Sequence, residues 1–213
     1  MSEPSAAFVK LQIDRPRLIN WLAAKPQSTA RWNDWRDVGG QWYFNDGPSP
    51  LADLPEDELQ GTLDVVDGWL ERYEDNLALL QWVLDSAPVE ARIAALSATQ
   101  DIFVAGSLMF SENLSDHLLF LTLVRSASDY LPQDGHGLAL VHNFVFGYPE
   151  EEKPTAALRL MPGGQSSFLA GAERTSVVPA FQPFADAMLE SVPVPDFPDP
   201  HQFDELVVKV RGV

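Results

Sequence analysis

The chain lacks cysteine and has few cationic residues. Its 213 residues include no Cys, which excludes disulfides, thiolate nucleophiles and thiolate metal sites. Only 14 Lys and Arg stand against 31 Asp and Glu, so the formal charge is −17. A field of this sign repels phosphate, and we therefore predict no direct binding to nucleic acid or to an anionic membrane. The same charge favours a basic protein partner, although acidity also raises solubility when no partner is involved.

Long apolar runs are absent as well. No run reaches the roughly 18–20 residues that span a bilayer, and the N-terminus lacks the basic and apolar regions of a secretory signal. We therefore expect a cytoplasmic protein without a membrane span. Hydrophobic residues make up 46% of the chain, enough for a sizeable core. The length suits a single domain over residues 1–213, with a possible subdivision into 1–100 and 101–213.

The sequence contains none of the short motifs that mark common active sites. It has no phosphate-binding loop, no dinucleotide-binding glycine pattern and no nucleophile elbow. The histidines are His117, His136, His142 and His201, and no two of them have the spacing of a helical metal site. We therefore predict no catalytic residue, no cofactor and no metal site. A small enzyme whose His117 or His142 meets distant carboxylates in space is the alternative.

Residues 55–85 carry the strongest periodic pattern in the chain. Apolar side chains recur there at alternating spacings of four and three, at Leu59, Leu63, Val66, Leu70, Tyr73, Leu77, Leu80 and Leu84. At about 100° per residue, these positions form one stripe along a helix. The pattern predicts one long central helix over residues 55–85.

Carboxylates flank this stripe on the predicted helix. They are Asp57, Asp64, Asp67, Glu71, Glu74, Asp75 and Asp85. Trp82 falls at the same helical angle as Asp64, so a second element covers it or it anchors a basic partner. The sequence predicts a partner-binding face made of Asp57, Asp64, Asp67, Glu71, Glu74, Asp75 and Trp82.

Two other clusters have both a structural and a functional interpretation. Glu150, Glu151 and Glu152 stand in a predicted exposed loop. Their oxygens suit a hard cation, but no EF-hand loop surrounds them, and we add them to the predicted partner-binding residues. The closely spaced Trp32, Trp35 and Trp42 either close a small core or anchor a partner.

The remaining patterns define the fold class. Strands are predicted at residues 7–13, 41–44, 101–110, 137–147, 155–161, 166–170 and 205–210, with a bulge at Gly106. Further helices are predicted at 17–25, 89–98, 114–131 and 179–192. Helices and strands alternate, with hairpins between some of them. This order favours an α+β fold with a mixed, largely antiparallel sheet and helices packed mainly on one side.

In class features the chain resembles the small, acidic, cysteine-free immunity proteins of bacterial polymorphic toxin systems, including those paired with type VI secretion effectors. The shared features are the single-domain size, the charge of −17 and the helix with an acidic stripe. The resemblance implies an inhibitor that binds a cognate, basic toxin and blocks its active site with an acidic surface. We expect a monomer or a homodimer. An adaptor or chaperone for a secreted effector is the other binding-protein interpretation.

Overall fold

A six-stranded antiparallel sheet forms the centre of the fold. In this computed structural model the described residues are 4–44, 47–97, 99–145, 154–190, 192, 194, 196, 197 and 203–211. In spatial order the strands are β4 (Arg92–Leu96), β5 (Ile102–Ser111), β1 (Ser5–Gln12), β6 (Gly137–His142), β7 (Ala156–Met161) and β8 (Gln165–Phe168). A separate small hairpin joins β2 (Trp42–Phe44) to β3 (Gly47–Ser49). Strands from both halves of the chain therefore share one sheet.

The central strand β1 is buried on both faces. Ala7, Val9 and Leu11 belong to one hydrophobic cluster, whereas Ala6 and Phe8 belong to a second cluster on the opposite face. Because alternate side chains of a strand point to opposite faces, two layers of other elements must cover this sheet.

Helices supply both layers, and most of them lie on one side. The helices are α1 (Arg15–Leu22), α2 (Glu56–Leu70), α3 (Asn76–Asp85), α4 (Leu114–Ser126), α5 (Gly171–Ser176), α6 (Gln182–Glu190) and α7 (Phe203–Arg211). Buried residues of α1 to α4 join the cluster of Val9. On the other face, Phe184 of α6 and Phe181 just before it join the cluster of Phe8. The protein therefore has the α+β fold that the sequence predicts.

The prediction of one helix over residues 55–85 is wrong, because the helix ends at Leu70 and a new one begins at Asn76. Asp75 causes the second start: its side chain accepts a hydrogen bond from the Ala78 amide at 2.8 Å, as an N-cap does. The Asn76 amide donates to the Ala24 carbonyl at 2.8 Å. The apolar period continues because both helices bury the same side against the core, which conceals the corner in the sequence.

Three other local predictions are also wrong. The helix predicted at 89–98 is absent from the described residues of that range: 89–91 form a short 3-10 turn and 92–96 form β4, whose pairing with β5 overrides the local helical pattern. Residues 205–210 lie in a helix, α7, in which Val207 and Val210 contact the core while Val208 is exposed. Gly106 pairs in register with Phe8 and Ile93. A Cβ there would collide with the Ala7 carbonyl oxygen and the Phe8 ring, so the glycine serves close packing and not a bulge.

The other elements agree with the sequence. The strands predicted at 7–13, 41–44 and 101–110 are confirmed, as are the hairpin of β7 and β8 and the helices at 17–25, 114–131 and 179–192, with shifted ends. The strand predicted at 137–147 is shorter and ends at His142. None of the described helices is long and apolar enough to cross a membrane.

Candidate functional site

The corner between α2 and α3 is held by two cations from elsewhere in the chain. Lys25 Nζ donates to the carbonyl oxygens of Tyr73 at 3.0 Å and of Glu71 at 3.3 Å. Arg211, at the end of α7, pairs with Glu74 at 2.9 Å and with Asp75 at 3.0 Å. A positive charge at the carbonyl end of α2 also complements the helix dipole. These contacts give the corner a defined shape, and a pocket opens beside it.

We call this opening the aromatic pocket. Its volume is about 450 Å³, and it is lined by Trp69, Arg72, Tyr73, Trp82, Asp116 and Leu119. Trp69 belongs to the last turn of α2, and Tyr73 lies in the corner that follows this helix. Trp82 comes from α3, and Asp116 and Leu119 come from α4. The pocket therefore exists only when three helices pack together.

The aromatic wall of the pocket is supported from below. Trp82 packs edge-on against Phe110 with ring centroids 5.6 Å apart, and Tyr73 lies 6.3 Å from Trp82. Phe110 is 6% exposed and also contacts Phe120, with centroids 5.9 Å apart. A ring fixed on a buried neighbour loses little further rotamer freedom on binding, so this wall is prepared to receive a ligand.

Asp116 is the one carboxylate of the aromatic pocket. Its Oδ2 accepts hydrogen bonds from Ser111 Oγ at 2.6 Å and from Asn113 Nδ2 at 3.3 Å. Within the described part of the chain, no donor reaches its Oδ1. Burial raises the pKa of Tyr73, and the negative charge of Asp116 raises it further, while Arg72 acts in the opposite direction. The pocket therefore presents a phenol that is neutral at physiological pH, next to the Asp116 side chain.

A second opening, which we call the hairpin pocket, lies at the start of helix α4. It has a volume of about 380 Å³ and is lined by Gln41, Trp42, Tyr43, Glu112, Asn113 and Leu114. Tyr43 is 87% exposed. The rings of Trp42, His117, Phe110 and Trp82 follow one another at centroid distances of 5.3, 6.1 and 5.6 Å. This row of rings runs from Trp42, which lines the hairpin pocket, to Trp82, which lines the aromatic pocket.

The fold uses three of the predicted partner-binding acids for its own contacts. Asp67 accepts hydrogen bonds from Ser28 Oγ at 2.6 Å and from the Thr29 amide at 2.7 Å. Asp75 caps α3 and is only 6% exposed, and Glu74 pairs with Arg211. These carboxylates position the loop before β2, the helix α3 and the helix α7.

The other three acids of this region are available to solvent. Asp57, Asp64 and Glu71 are exposed, and none of them forms an ion pair within the described residues. Their partner-binding role remains a prediction. Glu150, Glu151 and Glu152 lie outside the described residues.

The structure does not bring Trp82 into the acidic face of α2. That placement assumed one continuous helix and is wrong, because the corner after Leu70 changes the angular relation between Asp64 and Trp82. Trp69, which lines the aromatic pocket, lies about 200° around α2 from Asp67, so these two side chains are on different sides of the helix. The acidic neighbour of Trp82 in the pocket is instead Asp116.

The three tryptophans of residues 32–42 take structural positions, and two of them surround an arginine. Arg125 of α4 is 1% exposed, and its guanidinium carbon lies 4.8 Å from the Trp32 ring, 5.0 Å from the Trp35 ring and 5.0 Å from the Phe168 ring. Its Nη2 pairs with Asp34 at 2.7 Å. Trp42 packs on His117. We call the cage around Arg125 the internal arginine site.

Three of the four histidines lie in the described part of the chain, and burial changes the pKa of two of them. Burial lowers the pKa of His117 to about 4, although its ring Nε2 lies 2.9 Å from the Ser111 carbonyl oxygen. Burial also lowers the pKa of His142. His136 lines a small opening of about 120 Å³, and His201 lies outside the described residues. In the described ranges no three His, Asp or Glu side chains could hold a metal ion.

Sequence reasoning identified Trp82 but missed the residues that complete its pocket. Trp69 and Tyr73 are close in sequence, but Tyr73 reaches the pocket from the corner after α2, and helical spacing does not predict that corner. Asp116 had no local signal either, because its approach depends on how α4 docks on α2 and α3.

Comparison with known proteins adds no relationship. No protein-family model, no curated protein and no solved structure matches this chain.

Proposed function

We propose that this protein is a protein-binding inhibitor, an immunity protein, which neutralises a cognate basic bacterial toxin by covering its active site with an acidic surface. The observation that carries the proposal is that only some of the predicted partner-binding carboxylates are engaged in contacts within the fold. The carboxylates of Asp67, Glu74 and Asp75 contact other parts of the fold, whereas those of Asp57, Asp64 and Glu71 are exposed and form no ion pair within the described residues.

The physical basis is electrostatic. With a formal charge of −17, the molecule attracts a basic partner over several ångströms, and exposed carboxylates accelerate the encounter. Exposed carboxylates along α2 can pair with the cationic side chains that a nuclease uses to contact phosphates, and so take the place of its substrate. The aromatic pocket and the exposed Tyr43 supply the apolar contacts that a tight interface needs.

The first experiment tests the partner directly. The chain is co-expressed with the product of the neighbouring gene, and cell growth and complex formation are measured. We expect restored growth and a complex that survives purification at low salt. If the neighbouring product binds nothing and its toxicity is unchanged by the chain, the proposal is wrong.

The second experiment locates the surface with matched charge changes. The variant Asp57→Asn, Asp64→Asn, Glu71→Gln removes three charges from the α2 side. The control Glu173→Gln, Asp186→Asn, Glu190→Gln removes three from exposed positions on α5 and α6, across the sheet. At about 50 mM salt, we expect the first variant to lower the association rate constant about tenfold and the control to lower it far less. Equal effects would show that only net charge matters.

A further inference from the structure

The aromatic pocket shares with the internal arginine site three aromatic rings and one carboxylate. In the internal site, the three rings of Trp32, Trp35 and Phe168 surround the guanidinium of Arg125. The carboxylate of Asp34 pairs with it.

At the surface, the pocket supplies the rings of Trp69, Tyr73 and Trp82 together with the carboxylate of Asp116. The chain therefore contains, in its own interior, an occupied example of the same set of groups.

We propose that the aromatic pocket is the receptor for one arginine side chain of the basic partner. This inference rests on the proposed function and names the chemistry that the site recognises. A planar guanidinium can stack on an aromatic ring and pair with a carboxylate at the same time, which a compact ammonium does less well.

The carboxylate is prepared for this role by its neighbours. Ser111 and Asn113 both bind Oδ2 of Asp116, so the side chain is oriented before a ligand arrives. Oδ1 then accepts from the guanidinium in a charge-assisted hydrogen bond. The Tyr73 hydroxyl is neutral, because burial and Asp116 raise its pKa, and its oxygen is a further acceptor.

Arg72 also lines the aromatic pocket, and its charge opposes an incoming cation. Its side chain is exposed, so water screens this repulsion more strongly than it screens the pairing within the pocket. Arg72 thereby gives the inference a sharp test. Removal of its charge must strengthen cation binding, whereas it must weaken binding if the ligand is an anion.

The direct experiment uses small probes and the intact chain. Nα-acetyl-argininamide is titrated at constant ionic strength, and the indole N–H signals of Trp69 and Trp82 are followed by NMR. The control is Nα-acetyl-citrullinamide, which has nearly the same shape without the charge. We expect the arginine probe to bind with a dissociation constant on the order of 1 mM and the citrulline probe to bind about tenfold more weakly. Equal binding of the two probes, or no binding of the arginine probe, overturns the inference.

Variants then assign the groups. Asp116→Asn, which keeps the shape of the side chain, should weaken binding of the arginine probe about tenfold. Trp82→Phe, which keeps an aromatic ring of smaller area, should weaken it about threefold. Arg72→Gln should strengthen binding of the arginine probe about twofold. Asp57→Asn, more than three turns from the pocket, is the matched control and should change nothing. If Asp116→Asn has no effect or Arg72→Gln weakens the probe, the pocket is not an arginine receptor.

Partner binding separates this inference from the proposed function. If the neighbouring gene product binds the unmodified chain and binds Asp116→Asn and Trp82→Phe equally well, the pocket is not used and the inference fails, while the proposed function stands. If that product does not bind at all and its toxicity persists, the proposed function fails, and the inference as stated for a partner fails with it.

Discussion

At the scale of single residues, Arg125 shows how the fold holds a buried cation. Its charge lies among three aromatic rings and pairs with Asp34, and burial lowers its pKa while Asp34 opposes that change. Arg125→Met keeps much of the volume but removes the charge. We expect it to lower the free energy of unfolding by about 3 kcal/mol, measured by urea denaturation.

A matched pair of variants separates charge from shape at this position. Arg125→Lys keeps the positive charge but loses the flat stacking surface, so about half of the loss should remain. Adding Asp34→Asn to Arg125→Met should cost little more, since the carboxylate has then already lost its partner. A loss below about 0.5 kcal/mol for Arg125→Met would show that the site contributes nothing to stability.

His117 makes a prediction about pH. Its pKa is about 4 in the fold, against an ordinary value of 6.5, because burial disfavours the charged ring. Between these values the unfolded chain binds the extra proton and the folded chain does not. The free energy of unfolding therefore falls as the pH drops from 6.5 to about 4, by at most about 3 kcal/mol from this group.

The test compares the protein with His117→Gln, which keeps an N–H donor near the Ser111 carbonyl. Urea denaturation of both is measured from pH 7 down to about pH 4.5. This range stays above the acidic region in which Asp14 and Asp129, whose pKa values are lowered, lose their contributions. The variant should show a shallower decline, with His142 still contributing because its pKa is also lowered. Parallel curves would contradict the prediction.

At the scale of elements, Asp75 decides that α2 and α3 are separate helices. Asp75→Ala removes the cap of α3 and one contact of Arg211. We expect a loss of about 1–2 kcal/mol in the free energy of unfolding and faster amide exchange in the first turn of α3. Asp64→Ala, on the exposed face of α2, is the control and should be nearly neutral. If the two variants behave alike, the cap does not stabilise the corner.

The elements also show what a sequence can predict and what it cannot. β1, β5 and the hairpin of β7 and β8 were predictable because strand residues alternate or run apolar between clear turns. The corner at residues 71–75 was concealed because Leu70 and Leu77 face the same core, so the period continued through it. Asp75 followed by an apolar run was the available cap signal.

The two segments whose secondary structure was wrongly predicted, β4 and α7, have a different cause. Strand β4 exists because its backbone pairs with β5, and α7 buries Val207 and Val210 on the main cluster. Both outcomes depend on partners far away in the sequence. The aromatic pocket depends on the same kind of information, because three helices contribute to it, and a wheel drawn for one helix placed Trp82 next to the wrong carboxylate.

At the scale of the whole molecule, the sheet joins the two halves of the chain. β1 lies between β5 and β6, so a unit made of residues 101–213 alone would lack the strand at the centre of its own sheet. The first half would keep β1 and β4 without β5, which lies between them. This arrangement predicts that the two halves fold and unfold together.

The tryptophans give a direct measurement of this cooperation. All six lie in the first half, at positions 21, 32, 35, 42, 69 and 82, so tryptophan fluorescence reports on the packing of that half, including its contacts with the second. Far-UV circular dichroism reports on the backbone of helices and strands in both halves. We expect the two urea transitions to coincide, with the same midpoint and the same slope, as two-state unfolding requires. A fluorescence transition displaced from the dichroism transition would show that the first half unfolds separately, and would favour the subdivision into 1–100 and 101–213.

Arg125→Met sharpens the comparison, because Arg125 of the second half contacts Trp32 and Trp35 of the first. If the halves are one cooperative unit, this variant must shift both transitions by the same amount.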